Sequence, residues 1–157
     1  MSAMTDPATV STTEPAGPTR DLVATTARAL TAASVLLSAV VHLELWALGM
    51  NQVDVIGPAF LLNAVGGLVI AVAVLLWRHW LPLLAAIGFG AATLAAFVMS
   101  MTVGLFGVRE QVWGGSQVLA AVSEVTAIGF ALVALVAERP RARRPIARPP
   151  DPQASTT

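Results

Sequence analysis

The sequence predicts an all-α membrane protein, a bundle of four transmembrane helices. Hydrophobic residues make up 56% of the 157-residue chain and charged residues only 11%, which is far from the composition of a soluble globular domain. Four apolar segments, each about 20 residues or longer, are almost free of charge, and a helix needs this length to cross ~30 Å of hydrocarbon. The predicted spans are residues 29–49, 55–77, 81–106 and 117–137.

The chain divides into an N-terminal tail (1–20), a transmembrane domain (21–138) and a C-terminal tail (139–157). We expect both tails to be disordered, because the first is a polar stretch rich in Thr, Ala and Pro and the second alternates Arg and Pro. The absence of cysteine excludes disulfides, thiolate metal sites and iron–sulfur clusters. Tails and loops are too short to form a soluble catalytic domain. The sequence therefore favours a protein that is not an enzyme and has no cofactor, metal or nucleic-acid partner.

The distribution of arginine predicts the orientation in the membrane. All nine basic residues are arginine, and basic residues accumulate on the cytoplasmic side of membrane proteins. Five of them follow the last span: Arg139, Arg141, Arg143, Arg144 and Arg148. Because the number of spans is even, we expect both termini in the cytoplasm. The same arginines could contact anionic lipid headgroups, although marking the topology is the simpler explanation.

Small residues mark the helix faces that we expect to pack together. In the third span they recur every four residues, at Gly88, Ala92, Ala96, Ser100 and Gly104. Such a stripe lets another helix approach closely. The second and fourth spans contain similar stripes, and these include Asn63 and Glu124. We therefore expect both polar residues to point into the bundle.

Polar side chains inside the spans are the candidates for specific function, because they are costly in hydrocarbon. His42, Asn63 and Glu124 each lie 14 or 15 residues from an arginine at the cytoplasmic end of their span, a height of roughly 21–23 Å. Thr93 reaches a similar height, and Ser38 shares a helix face with His42. The sequence predicts that these residues meet in one polar layer.

Two explanations of this layer remain open. It is either a hydrogen-bonded cluster that fixes helix register, or a site at which Glu124 and His42 bind a proton or a ligand. A hydrolytic triad of Ser38, His42 and Glu124 lacks the nucleophile-elbow pattern. Glu44 points about 200° away from His42, so the two cannot hold a metal together. We expect Glu44 to pair with Arg109 at the outer side.

Three segments of the sequence are similar to segments of known proteins: SAVVHLELW (38–46), IGPAFLLNAV (56–65) and TVGLFGVRE (102–110). Together they resemble a group of small, uncharacterised four-span membrane proteins of actinobacteria. The resemblance implies a multi-pass protein of the bacterial plasma membrane and no particular activity. The sequence thus favours a membrane protein with a buried polar site that acts as an accessory or interaction subunit, with a protein partner or a second copy of itself. The alternative is a proton-coupled or small-solute carrier.

Overall fold

The computed structural model describes residues 17–102 and 114–139. The described residues form four helices, a short 3-10 turn and no strand. These elements are α1 (Pro18–Ala47), the 3-10 turn (Met50–Gln52), α2 (Ile56–Leu76), α3 (Trp80–Thr102) and α4 (Gly115–Glu138). Each of the four helices is long and apolar enough to cross a membrane. The predicted four-helix membrane fold is confirmed.

The first helix begins earlier than the predicted span. It starts at Pro18 and not at residue 29, so residues 18–20 belong to a helix and not to the predicted tail. Proline suits a first helical turn, and Asp21 in that turn complements the helix dipole. The charged residues of this stretch lower its hydropathy, so it was not predicted as part of an apolar span, but they do not prevent helix formation. The rest of both tails, and the predicted end of the third span at residue 106, lie outside the described residues.

The four helices form a ring. α1 packs along α4 and α2, whereas α3 packs on α4 and touches α2 over a shorter length. The bundle has two parts that differ in packing. The arginine half comprises residues 18–35, 70–87 and 127–139, and the far half comprises residues 38–66, 89–102 and 114–124.

Small residues fill the core of the arginine half. Seven of the ten buried core residues are alanine, and the full set is Ala27, Ala32, Val35, Ala71, Val74, Leu83, Ala86, Ala127, Ala131 and Ala134. Most leucines and valines instead cover the outside of the helices. This inverts the arrangement of a soluble protein, because lipid solvates large apolar side chains while small ones let helix backbones approach.

Glycine allows close helix contacts at two positions. A Cβ on Gly67 would lie 2.9 Å from Ala39 Cβ and 3.0 Å from a Phe89 ring atom. A Cβ on Gly90 would lie 3.1 Å from Ile128 Cγ1 and 3.2 Å from the carbonyl oxygen of Glu124. Gly67 therefore sets the approach of α2 to α1, and Gly90 sets that of α3 to α4.

The small-residue stripe predicted for the third span is not the face that packs on another helix. Gly88 and Ala92 are exposed, and a Cβ on Gly88 would meet nothing within 4 Å. The buried side of α3 runs instead through Leu83, Ala86 and Gly90. Small residues lie on several sides of this helix, so their spacing alone did not identify the packed one.

A buried arginine joins three helices at the end of the arginine half. Arg28 Nε donates to Glu138 Oε1 at 2.9 Å. Its terminal nitrogens donate to three backbone carbonyls, those of Val74 (3.4 Å), Trp77 (3.3 Å) and His79 (2.6 Å). These carbonyls belong to the end of α2 and to the α2–α3 connection, where the last carbonyls of a helix lack intrahelical donors. The Trp77 carbonyl also accepts from the amide of His79 at 2.8 Å. Arg28 thus fastens α1 to α4 and to the α2–α3 connection.

The turn before α2 contains an unusual backbone conformation. Val55 has φ 67° and ψ −45°, a region that β-branched residues rarely adopt. The amide of Ile56 donates to the carbonyl of Asp54 at 2.8 Å across this residue. The chain therefore enters α2 through a tight three-residue turn.

Candidate functional site

The far half surrounds a cavity of about 480 Å³. All four helices contribute to its wall, which is mostly apolar. The lining residues are His42, Leu45, Met50, Ile56, Ala59, Phe60, Leu62, Asn63, Gly66, Phe89, Ala92, Thr93, Ala96, Phe97, Ser100, Gln117, Ala120, Ala121 and Glu124. Four of the five residues predicted for the polar layer border this space, and the fifth, Ser38, lies behind them.

Glu124 is almost completely buried, with 1% of its surface exposed. The spacing of Glu124, Ala127, Ala131 and Ala134 places the carboxyl group on the face of α4 that packs against the bundle. Ser38 Oγ of α1 donates to Glu124 Oε1 at 3.2 Å. The second carboxyl oxygen, Oε2, has no hydrogen-bond partner among the described residues.

The hydrogen bonds of His42 define its tautomer. Nδ1 lies 2.8 Å from the carbonyl oxygen of Ser38 and 3.5 Å from Ser38 Oγ. A carbonyl oxygen can only accept, so Nδ1 carries the proton and donates it. In the neutral imidazole Nε2 is then an acceptor, and within the described part of the chain it has no partner. The ring also packs against Phe60, with 5.1 Å between the ring centroids.

Asn63 and Thr93 form a second polar pair across α2 and α3. The Thr93 hydroxyl donates to the carbonyl of Phe89 at 2.9 Å. Its oxygen therefore accepts from Asn63 Nδ2, at 3.5 Å. This leaves Asn63 Oδ1 as an acceptor without a partner in the described region.

Four of these five side chains border one cavity, but the set does not form one continuous hydrogen-bonded network. Ser38, His42 and Glu124 form one set on α1 and α4, and Asn63 and Thr93 form the other on α2 and α3. The structure shows no direct hydrogen bond between His42 and Glu124, which are linked through Ser38. The cavity separates the two sets.

The unpartnered polar atoms face the cavity. No fully buried side-chain oxygen or nitrogen lacks a hydrogen-bond partner in residues 17–102 and 114–139. His42 Nε2, Asn63 Oδ1 and Glu124 Oε2 have none, so each of them must retain accessible surface. Their residues all line the cavity, which provides that surface.

The geometry is unsuited to a serine hydrolase. In such a triad the serine donates to a histidine nitrogen whose other nitrogen is held by a carboxylate. Here Ser38 donates to Glu124, and the nearest histidine nitrogen, Nδ1, already carries a proton. The described residues also contain no group of three His, Asp or Glu side chains that could hold a metal ion.

Comparison of the chain with protein-family models, curated proteins and solved structures gave no significant match. Function must therefore be argued from the cavity and its side chains.

The predicted outer ion pair is only partly within the described chain. Glu44 is exposed on α1, pointing away from His42 as its spacing predicts. Arg109 lies outside the described residues, so the pairing stays a prediction.

Aromatic residues of the site were missed by the sequence analysis. Phe89 and Phe97 lie four residues on either side of Thr93, and Phe60 lies three residues before Asn63. Positions three or four apart share a helix face, so the spacing does contain this signal. All three phenylalanines line the cavity.

Proposed function

We propose that this chain binds a small, mostly apolar solute in the far-half cavity and exchanges it for a proton, as a small-solute or proton-coupled membrane carrier. The observation that supports this is that His42 and Glu124 border the same cavity of about 480 Å³. A polar cluster that only fixes helix register needs no such space beside it.

The size and wall of the cavity fit a ligand site. Pockets for small molecules measure roughly 300–1,000 Å³ and combine apolar walls with a few polar groups. Within residues 17–102 and 114–139, the ionisable groups that line the cavity are His42 from α1 and Glu124 from α4, whereas α2 and α3 contribute none. Proton exchange in the cavity therefore depends on these two side chains.

A cavity-filling substitution tests this proposal. Ala96→Phe on α3 places a ring in the cavity, whereas Ala85→Phe adds the same ring to an exposed position of the same helix. The probes are 1-naphthylmethylamine, 1-naphthylmethanol and 1-naphthylacetate, which share one apolar body. We expect at least one probe to raise the thermal stability of the wild type and of Ala85→Phe, but not of Ala96→Phe. Identical responses of all three proteins to every probe would contradict the proposal.

Proton exchange is tested at Glu124. Glu124→Gln keeps an oxygen that can accept from Ser38, so the bundle should still fold. We expect probe affinity to vary with pH in the wild type between about pH 5 and 8 and to vary less in Glu124→Gln. Equal pH dependence in both proteins would remove the proton from the mechanism and leave a simple solute-binding protein.

A second candidate function is that of an accessory or interaction subunit. It is favoured by Ala85, Gly88 and Ala95, small residues of α3 that remain exposed after the bundle has closed. Such faces are typical of contacts between membrane helices. Because the chain has no cysteine of its own, Gly88→Cys provides a single site for disulfide cross-linking in membranes. A cross-linked dimer, absent with Leu76→Cys on α2, would support a second copy as the partner.

For orientation, we propose that both termini are in the cytoplasm of a bacterium, with the C-terminal arginines close to anionic lipid headgroups of the plasma membrane. Single cysteines at Thr12 and Ser155 report this directly. We expect neither to react with an impermeant reagent added outside intact cells. Labelling of either one from outside would reverse the assignment for that terminus.

A further inference from the structure

We propose that the ligand of the cavity is an apolar amine, a molecule with a hydrophobic body and a positively charged ammonium group that retains N–H donors. This inference rests on the proposed function, because it specifies what the cavity binds. It follows from three observations: the hydrogen-bonding character of the polar atoms that face the cavity, the charges in its wall, and its aromatic lining.

The polar layer presents acceptors to the cavity. His42 Nδ1 is committed as a donor to the Ser38 carbonyl, so Nε2 offers a lone pair. Asn63 donates one N–H of its amide to Thr93, so Oδ1 remains as an acceptor beside the second N–H. Glu124 accepts from Ser38 through Oε1, which leaves Oε2. A ligand that satisfies these atoms must supply hydrogen-bond donors.

The hydroxyl donors of this layer are already in use, and one N–H of Asn63 is the donor that remains among its described side chains. The Ser38 hydroxyl donates to Glu124, and the Thr93 hydroxyl donates to the carbonyl of Phe89. The other polar residues of the lining, Ser100 and Gln117, each lie seven residues from the layer along their helices, or about 10 Å at ~1.5 Å per residue. A ligand that offered only acceptors would therefore leave the layer unsatisfied, and unpaired buried polar atoms are costly.

The wall favours a positive charge. Among the described residues it contains one carboxyl group and no arginine, because Arg20, Arg28, Arg78 and Arg139 all lie in the arginine half. Phe60, Phe89 and Phe97 add aromatic faces, which attract cations and pack against apolar groups. A hard metal ion fits this wall poorly, since such ions take six or more oxygen ligands and the layer offers two oxygens and an imidazole.

An ammonium group and a proton would then compete for Glu124 Oε2. When the amine binds, its N–H donates to the carboxylate and the proton previously held there leaves to water. The net charge of the cavity stays the same. The ligand and the proton that it displaces therefore carry the same charge, as the proton exchange in the proposed function requires.

The test uses four ligands with one naphthyl body, measured by isothermal titration with the protein in lipid nanodiscs and with empty nanodiscs as blanks. The first three are 1-naphthylmethylamine, 1-naphthylmethanol and 1-naphthylacetate. The fourth, trimethyl(1-naphthylmethyl)ammonium, keeps the positive charge but has no N–H. We expect the amine to bind most tightly and the trimethyl compound to bind about tenfold more weakly or worse, the loss expected for a missing hydrogen bond to a charged group. The acetate should not bind measurably.

Two variants test whether side chains of the polar layer cause the preference for the amine. Glu124→Gln should weaken the amine about tenfold and leave the alcohol nearly unchanged. Asn63→Leu, which removes Oδ1 but leaves Thr93 bonded to Phe89, should weaken the amine by a smaller factor. Size-exclusion profiles and thermal stability that match the wild type establish that both variants fold.

The outcomes separate the inference from the proposed function. If the acetate or the alcohol binds best and Ala96→Phe blocks it, the cavity binds solutes but the amine assignment is wrong. Equal affinity for the amine and its trimethyl analogue would refute the role of N–H donors. If no compound binds in a manner that Ala96→Phe blocks, both the inference and the proposed function fail.

Discussion

The two halves of the bundle surround their buried ionisable side chains with different numbers of hydrogen-bond partners. In the arginine half, Arg28 meets one carboxylate and three backbone carbonyls, which are fixed partners within the chain. In the far half, Glu124 meets one serine hydroxyl and keeps an oxygen directed to a cavity. Arg28 is matched by partners within the fold, whereas Glu124 Oε2 has no hydrogen-bond partner among the described residues.

The two halves also differ in how closely their helices pack. Alanines bring the helices of the arginine half into close contact, while phenylalanines, Asn63 and His42 surround open space in the far half. Side chains in a close-packed core stabilise the structure through contacts with each other. Side chains around a cavity give up such contacts, and this favours a binding role over a purely structural one. Under the proposed function, the arginine half would provide stability and the far half would recognise the ligand.

The largest effect is expected at Arg28. Replacing it with Met should leave Glu138 and three carbonyls without their partner and lower the free energy of unfolding by about 3 kcal/mol, the lower end for a broken buried ion pair because Glu138 is 25% exposed. Arg78→Met is the control, since Arg78 at the same end is exposed and, among the described residues, bonds only Thr25. Denaturation with increasing SDS in mixed micelles measures both. Equal losses would mean that the end of the bundle needs charge and not this particular contact.

Two alanines of α3 compare the halves directly. Ala86 is fully buried in the arginine half, and Ala96 lines the cavity. Ala86→Leu should overpack the core and cost about 1–3 kcal/mol, whereas Ala96→Leu should extend into open space with little effect on stability. The sequence alone predicted the opposite for Ala96, because it placed that residue on a packed stripe. A large loss of stability in Ala96→Leu would show that the far half is packed as tightly as the other.

A smaller effect is expected at Gly67, where α2 touches α1. Gly67→Ala would bring a methyl group to 2.9 Å from Ala39 Cβ, so the helices must separate slightly at a cost of about 1 kcal/mol, the low end for overpacking. Gly66→Ala is the matched control, because its Cβ would meet nothing within 4 Å. Thermal melting in one detergent compares the two variants. The same melting temperature for both would argue against a close contact at Gly67.

The smallest effect is expected in the turn before α2. Val55→Gly should relieve the strain of a positive φ, and the gain is partly offset by the greater freedom of glycine in the unfolded chain. We expect a net stabilisation of about 0.5 kcal/mol. Val53→Gly, at φ −96°, has no strain to relieve and should destabilise. A loss of stability in Val55→Gly would indicate that this turn is not strained.

Much of the fold could be predicted from hydropathy. Four long apolar segments imply four membrane helices whatever the packing, because every backbone polar group in hydrocarbon must be paired within a helix or a closed barrel. The start of α1 was missed because Arg20, Asp21 and Arg28 reduce hydropathy without opposing a helix. Helix formation and membrane burial are different properties, and an apolar window reports only the second.

The site was predictable in part. Counting residues from the inner ends of the spans predicted a similar height for His42, Asn63, Thr93 and Glu124, and all four border the cavity. The cavity between them was not predictable, because it depends on how far α2 and α3 separate. The packed face of α3 was missed for a related reason. Gly88 and Gly90 are the same residue type, and only the packing of α4 against Gly90 distinguishes them.

The ion pair at the end of the arginine half also constrains when the protein can mature. Arg28 and Glu138 are 110 residues apart in the chain, so most of the polypeptide must be synthesised before they can meet. Until α4 is in place, the guanidinium of α1 can donate to the carbonyls at the end of α2, but it lacks its carboxylate partner. Contacts between distant parts of a chain form late because loop closure costs entropy. The positive charge of Arg28 is therefore paired with a carboxylate only after the last helix has joined the ring.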